Sequence, residues 1–394
     1  MNLSTFTAVG GRRRYSVAIF TDALGAGLLR PFMFLYGLRV LGLGLAPTGI
    51  ALTIGLTAGL GAIPLVGRWI DRAGPRRPVV FALVIRVFGV LALLFATGLP
   101  GFVLAAALLS TGTQVWPGAH AALVSTLTSG RERDVALSAG RALRNAGLGA
   151  GALLATVTLA GGVDALRLLA ALSAIGYLGA AALVWSMDVP TYTRPDRSTH
   201  EDTVGRTFLV LCLLNLPFAL IFDVLEVALP AVFLEQLQVG SVWPGAVFIA
   251  NTVLVISLSV PLVVRFAHRP RRWVLGLAGL VLATSYLGFL WATGAGGHLG
   301  AAGVVLFSVV FTLGEILYAG TGTALVIATA PPGRLGRTLA RWELSTGIGK
   351  ASAPIVLTGL LGVAPAALWL PLAIVTATAG LAIARYAPRD ALST

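Results

Sequence analysis

Twelve long apolar runs, each cut off from the next by turn-forming residues, constrain this chain more than any other feature. They lie near 15–38, 46–67, 78–97, 101–127, 136–161 and 164–187, then near 207–234, 242–266, 272–293, 299–328, 337–362 and 366–386. About 20 apolar residues in a helix cross a bilayer core. A helix is also one of the few structures that satisfies its own backbone groups there. The breaks carry turn chemistry: Gly42 to Pro47, Gly74-Pro75, Gly98 to Gly101, Gly161-Gly162 and Pro331-Pro332-Gly333. Composition excludes the alternatives. Charged residues are 11% and hydrophobic ones 57%, against roughly 25% charged in soluble domains. A disordered chain needs the opposite balance, and the glycines show no collagen period. The reading is an all-α integral membrane protein with twelve transmembrane helices. The first run is long and contains Asp22 and Arg30, so it reads as a membrane helix rather than a cleaved leader.

The net charge of +13 raises nucleic acid as a partner. The placement of the cations argues against it. With a cytoplasmic N-terminus, 23 of the 28 Lys and Arg residues fall at cytoplasmic segments, Arg144 among them. Only Arg39 and Arg167 fall outside, and Arg30, Arg86 and Lys350 fall within spans. That alternation is the positive-inside pattern, and it explains the basic balance without nucleic acid. The longest polar stretch, 188–206, holds two prolines and mixed charge, which reads as a cytoplasmic linker. It separates an N-terminal six-helix half, 1–187, from a C-terminal one, 207–394, with both termini cytoplasmic. Arginine dominates over the lone Lys350, as in GC-rich coding, which points to a bacterial cell membrane.

Several chemistries find no footing. Cys212 is the single cysteine, and His120, His200, His268 and His298 have no metal-ligand spacing. The stretch Gly347-Ile-Gly349-Lys350-Ala-Ser352 brushes against a phosphate-binding loop. It has Leu344 and Ala351 where that loop needs Gly and Ser or Thr. No enzyme activity and no cofactor are expected.

Between the second and third spans the chain reads Gly67-Arg-Trp-Ile-Asp71-Arg72-Ala-Gly74-Pro-Arg76-Arg77. This resembles the signature loop of the major facilitator superfamily, with one extra residue, Pro75, after the second glycine. The stretches Asp22 to Pro31 and Leu313-Gly314-Glu315 resemble the twelve-helix drug:proton antiporter branch. The fourth helix lacks the family's arginine motif and carries Gln114, Trp116 and Pro117 instead. The fifth has Gly147-Leu-Gly149-Ala-Gly151 without a Gly-Pro pair. The resemblance implies the superfamily fold, two six-helix halves working by alternating access, and a cavity lined by helices one, four, seven and ten.

A charge at mid-membrane costs about 2.5–3.5 kcal/mol even on insertion scales, so buried acids mark sites. Asp22, Asp223, Glu226 and Glu315 all fall on helices that the resemblance assigns to the cavity. Asp223 and Glu226 are i, i+3 neighbours, and two carboxylates that close in low dielectric do not both ionise easily. These four are the candidate proton-coupling residues, with the proton as coupling ion. Asp22 and Glu315 also have a plain structural reading, as ion-pair partners, and Glu226 has one as a hydrated residue near the outer interface. Arg30 is a candidate for an anionic group, or for holding an acid ionised. Arg86 reads as structural pairing, and the role of Lys350 stays open. Gln114, Trp116, Asn215, Phe218, Phe222 and Tyr318 are candidates for an aromatic and polar substrate surface. Gly67, Asp71, Arg72, Gly74, Arg76 and Arg77 would gate conformation, with the arginines facing headgroups. The glycine pairs Gly55/Gly59 and Gly147/Gly151 read as close helix crossings.

The expected function is a monomeric secondary transporter in the lipid bilayer, exporting a lipophilic or drug-like small molecule by proton antiport. A nutrient or metabolite importer and a lipid flippase share the fold. A membrane sensor or polytopic enzyme shares the topology, but the tails are short and no catalytic cluster is visible.

Overall fold

The computed structural model describes residues 13–158, 162–190, 203–239 and 242–387. Arg12, Arg194, Arg197, Arg389 and residues 191–202 of the expected linker lie outside them. Among the described residues twelve helical rods follow in order. They are α1 (Arg13–Arg39), α2 (Leu45–Ala73), α3 (Arg76–Leu94), α4 (Leu99–Leu127), α5 (Gly130–Thr158) and α6 (Gly162–Trp185). The second series is α7 (203–236), α8 (Val242–Phe266), α9 (Arg271–Ala295), α10 (Gly297–Thr329), α11 (Leu335–Val363) and α12 (Pro365–Tyr386). The chain is an all-helical, multi-pass membrane protein.

Eleven rods are long and apolar enough to cross a membrane by length and composition. The exception, α5, is as long as its neighbours, but its first half carries Arg131, Glu132, Arg133, Asp134, Arg141 and Arg144. Two expectations shift here. The stretch taken as the signature loop is helical through Ala73, and the chain turns only at Gly74-Pro75. Gly74 takes φ +76°, a conformation that costs glycine nothing. At the other end of the expected linker, residues 203–206 already belong to α7.

Packing divides the chain into two compact units. The first comprises Met1–Arg197 with Pro332–Leu344, and the second Ser198–Pro331 with Ser345–Thr394. The start of α11, through Leu344, thus packs with the first unit.

In the first unit α1 lies between α5 and α6, and α4 between α2 and α3. Glycine sets the closest approaches. A Cβ on Gly27 would sit within 3.0 Å of the α5 backbone at Ala152, and closer still to Leu148 O. One on Gly151 would meet the Leu28 nitrogen at 2.9 Å. The α1–α5 crossing is therefore a backbone-to-backbone contact, as the Gly147/Gly151 spacing implies. Gly55 and Gly59 do the same against Ala106 and Ser110 of α4.

The second unit is centred on α9, which packs against α10 and α12. Tyr286, Phe289, Phe311 and Trp369 form its fully buried aromatic core. α7 is irregular. Its hydrogen bonding loosens to π-type turns over Val224–Ala228 and Val232–Gln236. Pro217 and Pro230 remove two ladder donors from this rod. Such π turns recur at functional sites, and here they flank Asp223 and Glu226.

Candidate functional site

In the first unit the site is built around one carboxylate. Asp22 of α1 is 1% exposed, yet it receives two guanidinium groups. Arg86 of α3 donates to Asp22 Oδ1 at 2.6 Å, and Arg144 of α5 donates to Oδ2 at 2.9 Å. A buried carboxylate needs such partners, because the desolvation of a lone charge costs several kcal/mol. Each guanidinium also lies over an aromatic face: Arg86 over Tyr177 at 4.8 Å and Arg144 over Trp116 at 4.3 Å. Trp116 stacks in turn on His120 at 4.5 Å, and the Tyr15 hydroxyl lies 2.6 Å from His120 Nδ1. Arg86 Nε donates to Ala82 O at 2.9 Å, while its second terminal nitrogen is buried with no hydrogen-bond partner.

Three sequence readings are refined by this cluster. Arg144, grouped above with arginines at the cytoplasmic edge, belongs instead to the interior. It lies 14 residues into α5, about 20 Å along the helix. Asp22 is ion-paired, which its structural reading allowed, and Arg86 is one of its partners. Arg30 shares α1 with Asp22 but stands at a 3₁₀ break made by Pro31. It is exposed, and its charge acts on Arg144 and Tyr177. His120 is a residue the sequence did not single out. Lone histidines in apolar helices give no signal of their stacking partners. Gln114 is half-buried on α4, two residues before Trp116 and one turn before Gly118.

The signature stretch forms a second feature of the same unit. Asp71, 5% exposed at the end of α2, accepts from the backbone nitrogens of Gly336 at 2.6 Å and Arg337 at 3.3 Å. Arg337 Nε adds a bond at 2.9 Å. Asp71 thus caps the N-terminus of α11, where a negative charge is favoured. Gly67 and Gly336 let the helices touch, since a Cβ on Gly67 would meet Ala340 Cβ at 2.5 Å. Arg72 and Arg77 are exposed, as expected. Arg76 is not directed at headgroups alone. Its guanidinium lies over Trp185 at 5.1 Å and donates to the Trp185 carbonyl, closing the end of α6.

In the second unit α7, α10 and α11 share a polar network. Tyr318 donates to Asn215 Oδ1 at 2.6 Å, and Asn215 Nδ2 donates to Ser345 Oγ at 2.8 Å and Thr346 Oγ1 at 2.9 Å. Gly349 permits this approach, because a Cβ there would lie 2.4 Å from Ala219 Cβ. Asn215 and Phe218 are fully buried. They support the wall rather than form its surface. Phe218 stacks on Tyr318 at 4.9 Å, and half-buried Phe222 leans on the same ring. Lys350 Nζ sits 4.0 Å over Phe222.

The acids of this unit divide. Asp223 is half-buried, and its Oδ2 has no hydrogen-bond partner. Of its charged neighbours, Lys350 acts on it more strongly than Glu226 does. Glu226 is exposed and lies within the π turn Val224–Ala228, and its charge and that of Lys350 both act on Asp223. Glu315 is half-buried and accepts from Asn251 of α8 at 2.8 Å; the same amide donates to Thr312 at 3.0 Å. No group of three or more His, Cys, Asp or Glu residues fit to hold a metal occurs among the described residues.

Twelve helical rods among the described residues, eleven of them long and apolar enough to cross a membrane, describe a multi-pass membrane protein. The sequence profile of the Major Facilitator Superfamily matches residues 15–222, and the chain belongs to that superfamily. It is a secondary transporter by family. Solved structures share its fold over nearly its whole length. The E. coli fucose:proton symporter FucP aligns with a TM-score of 0.76 at 15% identity, covering 95% of this chain and 98% of that one. A bacterial homologue of the iron transporter ferroportin, in an outward-facing state, aligns with a TM-score of 0.68 at 17% identity, covering 95% and 97%. The human organic anion transporter TETRAN gives 0.65 at 13% identity, covering 94% and 98%. No curated protein sequence matches the chain.

Proposed function

We propose that this protein is a proton-coupled antiporter that exports lipophilic small molecules across a bacterial cell membrane by alternating access, acting as a monomer. The observation that carries the reading is Asp223. It is a carboxyl group on an irregular helix, with one buried oxygen lacking a partner and a cation nearby. Such a group tolerates both protonation states, as a proton carrier must. Asp22 is poorly suited to that role, because both of its oxygens are already engaged by guanidiniums. Glu315 fits better, since the side-chain amide of Asn251 that donates to it is neutral. Half-buried Phe222, next to Asp223 in the chain, offers ring surface for an apolar body. The fold-sharing symporter FucP is itself proton-coupled by name.

The test is proton release from purified protein in detergent when lipophilic compounds of each charge type are added. Release on binding, abolished by Asp223→Asn and reduced by Glu315→Gln, is the expected result. Binding without proton release in the wild type overturns proton antiport.

A further inference from the structure

The charge balance of the first unit does not close. One carboxylate, Asp22, faces two guanidiniums, Arg86 and Arg144, at 2.6 and 2.9 Å. Arg30 adds its field to Arg144 and Tyr177. The cluster therefore carries more positive than negative charge well inside a helix bundle. Asp22 and Arg86 each lie about 15 Å along their helices. Excess charge at that depth is costly, so a partner of opposite sign stabilises it. The geometry already offers that partner a place. Arg86 is 1% exposed, and one of its terminal nitrogens has no hydrogen-bond acceptor. The Arg144 side chain is 17% exposed while bonded to Asp22 and lying over Trp116, so part of it is open to a ligand.

We propose that Arg144, Arg86 and Arg30 form a subsite for an anionic group, and that the substrate is an organic anion with an apolar body. Guanidinium groups suit carboxylate, sulfonate or phosphate oxygens, which they bind through parallel N–H donors. Asp22 holds the two buried arginines in position and leaves one charge to be met by the ligand. Trp116 and Tyr177 lie beneath the guanidiniums and shield them from the far side. The proposal rests on the transporter reading above and names its substrate class. It adds a charge to the lipophilic or drug-like molecule expected above, and a cation would be repelled by this cluster.

The test compares three permanently charged or neutral probes with one ring system: naphthalenesulfonate, naphthylmethyl-trimethylammonium and naphthylmethanol. Calorimetric titration uses the purified chain in a neutral detergent. The sulfonate is expected to bind at least tenfold tighter than either other probe. Losing a charged hydrogen bond weakens binding about 10- to 100-fold, so Arg144→Gln should do so, with Arg144→Lys intermediate. Arg144→Gln leaves Asp22 and Arg86 as a balanced pair, so its melting curve should stay near wild type. Arg30→Gln touches no ion pair of the cluster and should weaken the sulfonate alone by about tenfold through its lost field. No sulfonate binding, equal binding of all three probes, preference for the cation, or unchanged affinity in a well-folded Arg144→Gln each overturns the subsite. Adding phosphatidylglycerol against phosphatidylcholine separates two anion sources. Competition by the former alone supports the subsite and assigns it to a lipid headgroup, overturning the small-molecule assignment. Sulfonate binding without proton release keeps the subsite and removes proton coupling instead.

Discussion

Replacing Asp22 by Asn keeps the shape of the side chain and removes its charge. In the wild type this carboxylate is the one group bonded to both Arg86 and Arg144, at 2.6 and 2.9 Å, and it is 1% exposed. In the variant two guanidiniums, one of them also 1% exposed, face each other across a neutral amide. Breaking a buried ion pair from one side costs about 3–5 kcal/mol, because the remaining charge stays buried. For a unit of this size each kcal/mol moves the melting temperature by about 2–4 °C. The expected loss is therefore roughly 6–20 °C. Intrinsic tryptophan fluorescence reports it in detergent, since the chain has eight tryptophans. The second arm gives the sharper test. Adding Arg144→Gln to Asp22→Asn removes one uncompensated cation, so the double variant should regain at least half of the loss. A full-strength melt for Asp22→Asn, or a double variant weaker than the sum of its singles, would refute the charge argument.

Other outcomes follow from the same geometry. Asp71→Ala removes the cap on α11 and the Arg337 contact, so amide exchange at residues 336–338 should rise by about tenfold, a cost of about 1–2 kcal/mol. Asp71→Asn, which retains an acceptor, should restore much of that protection. Gly151→Ala forces a Cβ against the α1 backbone at Leu24 and Leu28, and should destabilise by about 1–3 kcal/mol on the same melt. Tyr318→Phe leaves Asn215 Oδ1 without its 2.6 Å donor and should cost about 1–3 kcal/mol in stability. If an anion leaves as a proton enters, two elementary charges move inward per cycle. Export should then gain about 4.6 kcal/mol per 100 mV of inside-negative potential, visible as potential-dependent flux in proteoliposomes.

Most of the helices were legible because they are long apolar runs separated by turn-forming residues, and that is a local property. The partners of Asp22 were not, since Arg86 and Arg144 lie 64 and 122 residues away. Counting arginines by side of the membrane records topology and not depth. Arg144 therefore passed as one more edge cation, although the helix that carries it departs most from the apolar pattern. Asp71 stood out within its signature. Its acceptor role toward Gly336, 265 residues on, depends on two glycines meeting, which no local pattern encodes. The i, i+3 reading of Asp223 and Glu226 assumed a regular helix. A π turn at Val224–Ala228 interrupts that helix, and Glu226 within it is exposed. Asn215 and Phe218 were proposed as substrate contacts and are fully buried; burial within a helix bundle and exposure on a cavity surface read alike in sequence.

Proton coupling through Asp223 is the central claim, and proteoliposomes test it most directly. Vesicles containing the protein, a pH-sensitive dye and naphthalenesulfonate are diluted into acidic buffer. The account predicts faster probe efflux with simultaneous internal acidification, both lost in Asp223→Asn. Probe efflux in the wild type that ignores the pH gradient, with no proton movement, would contradict it.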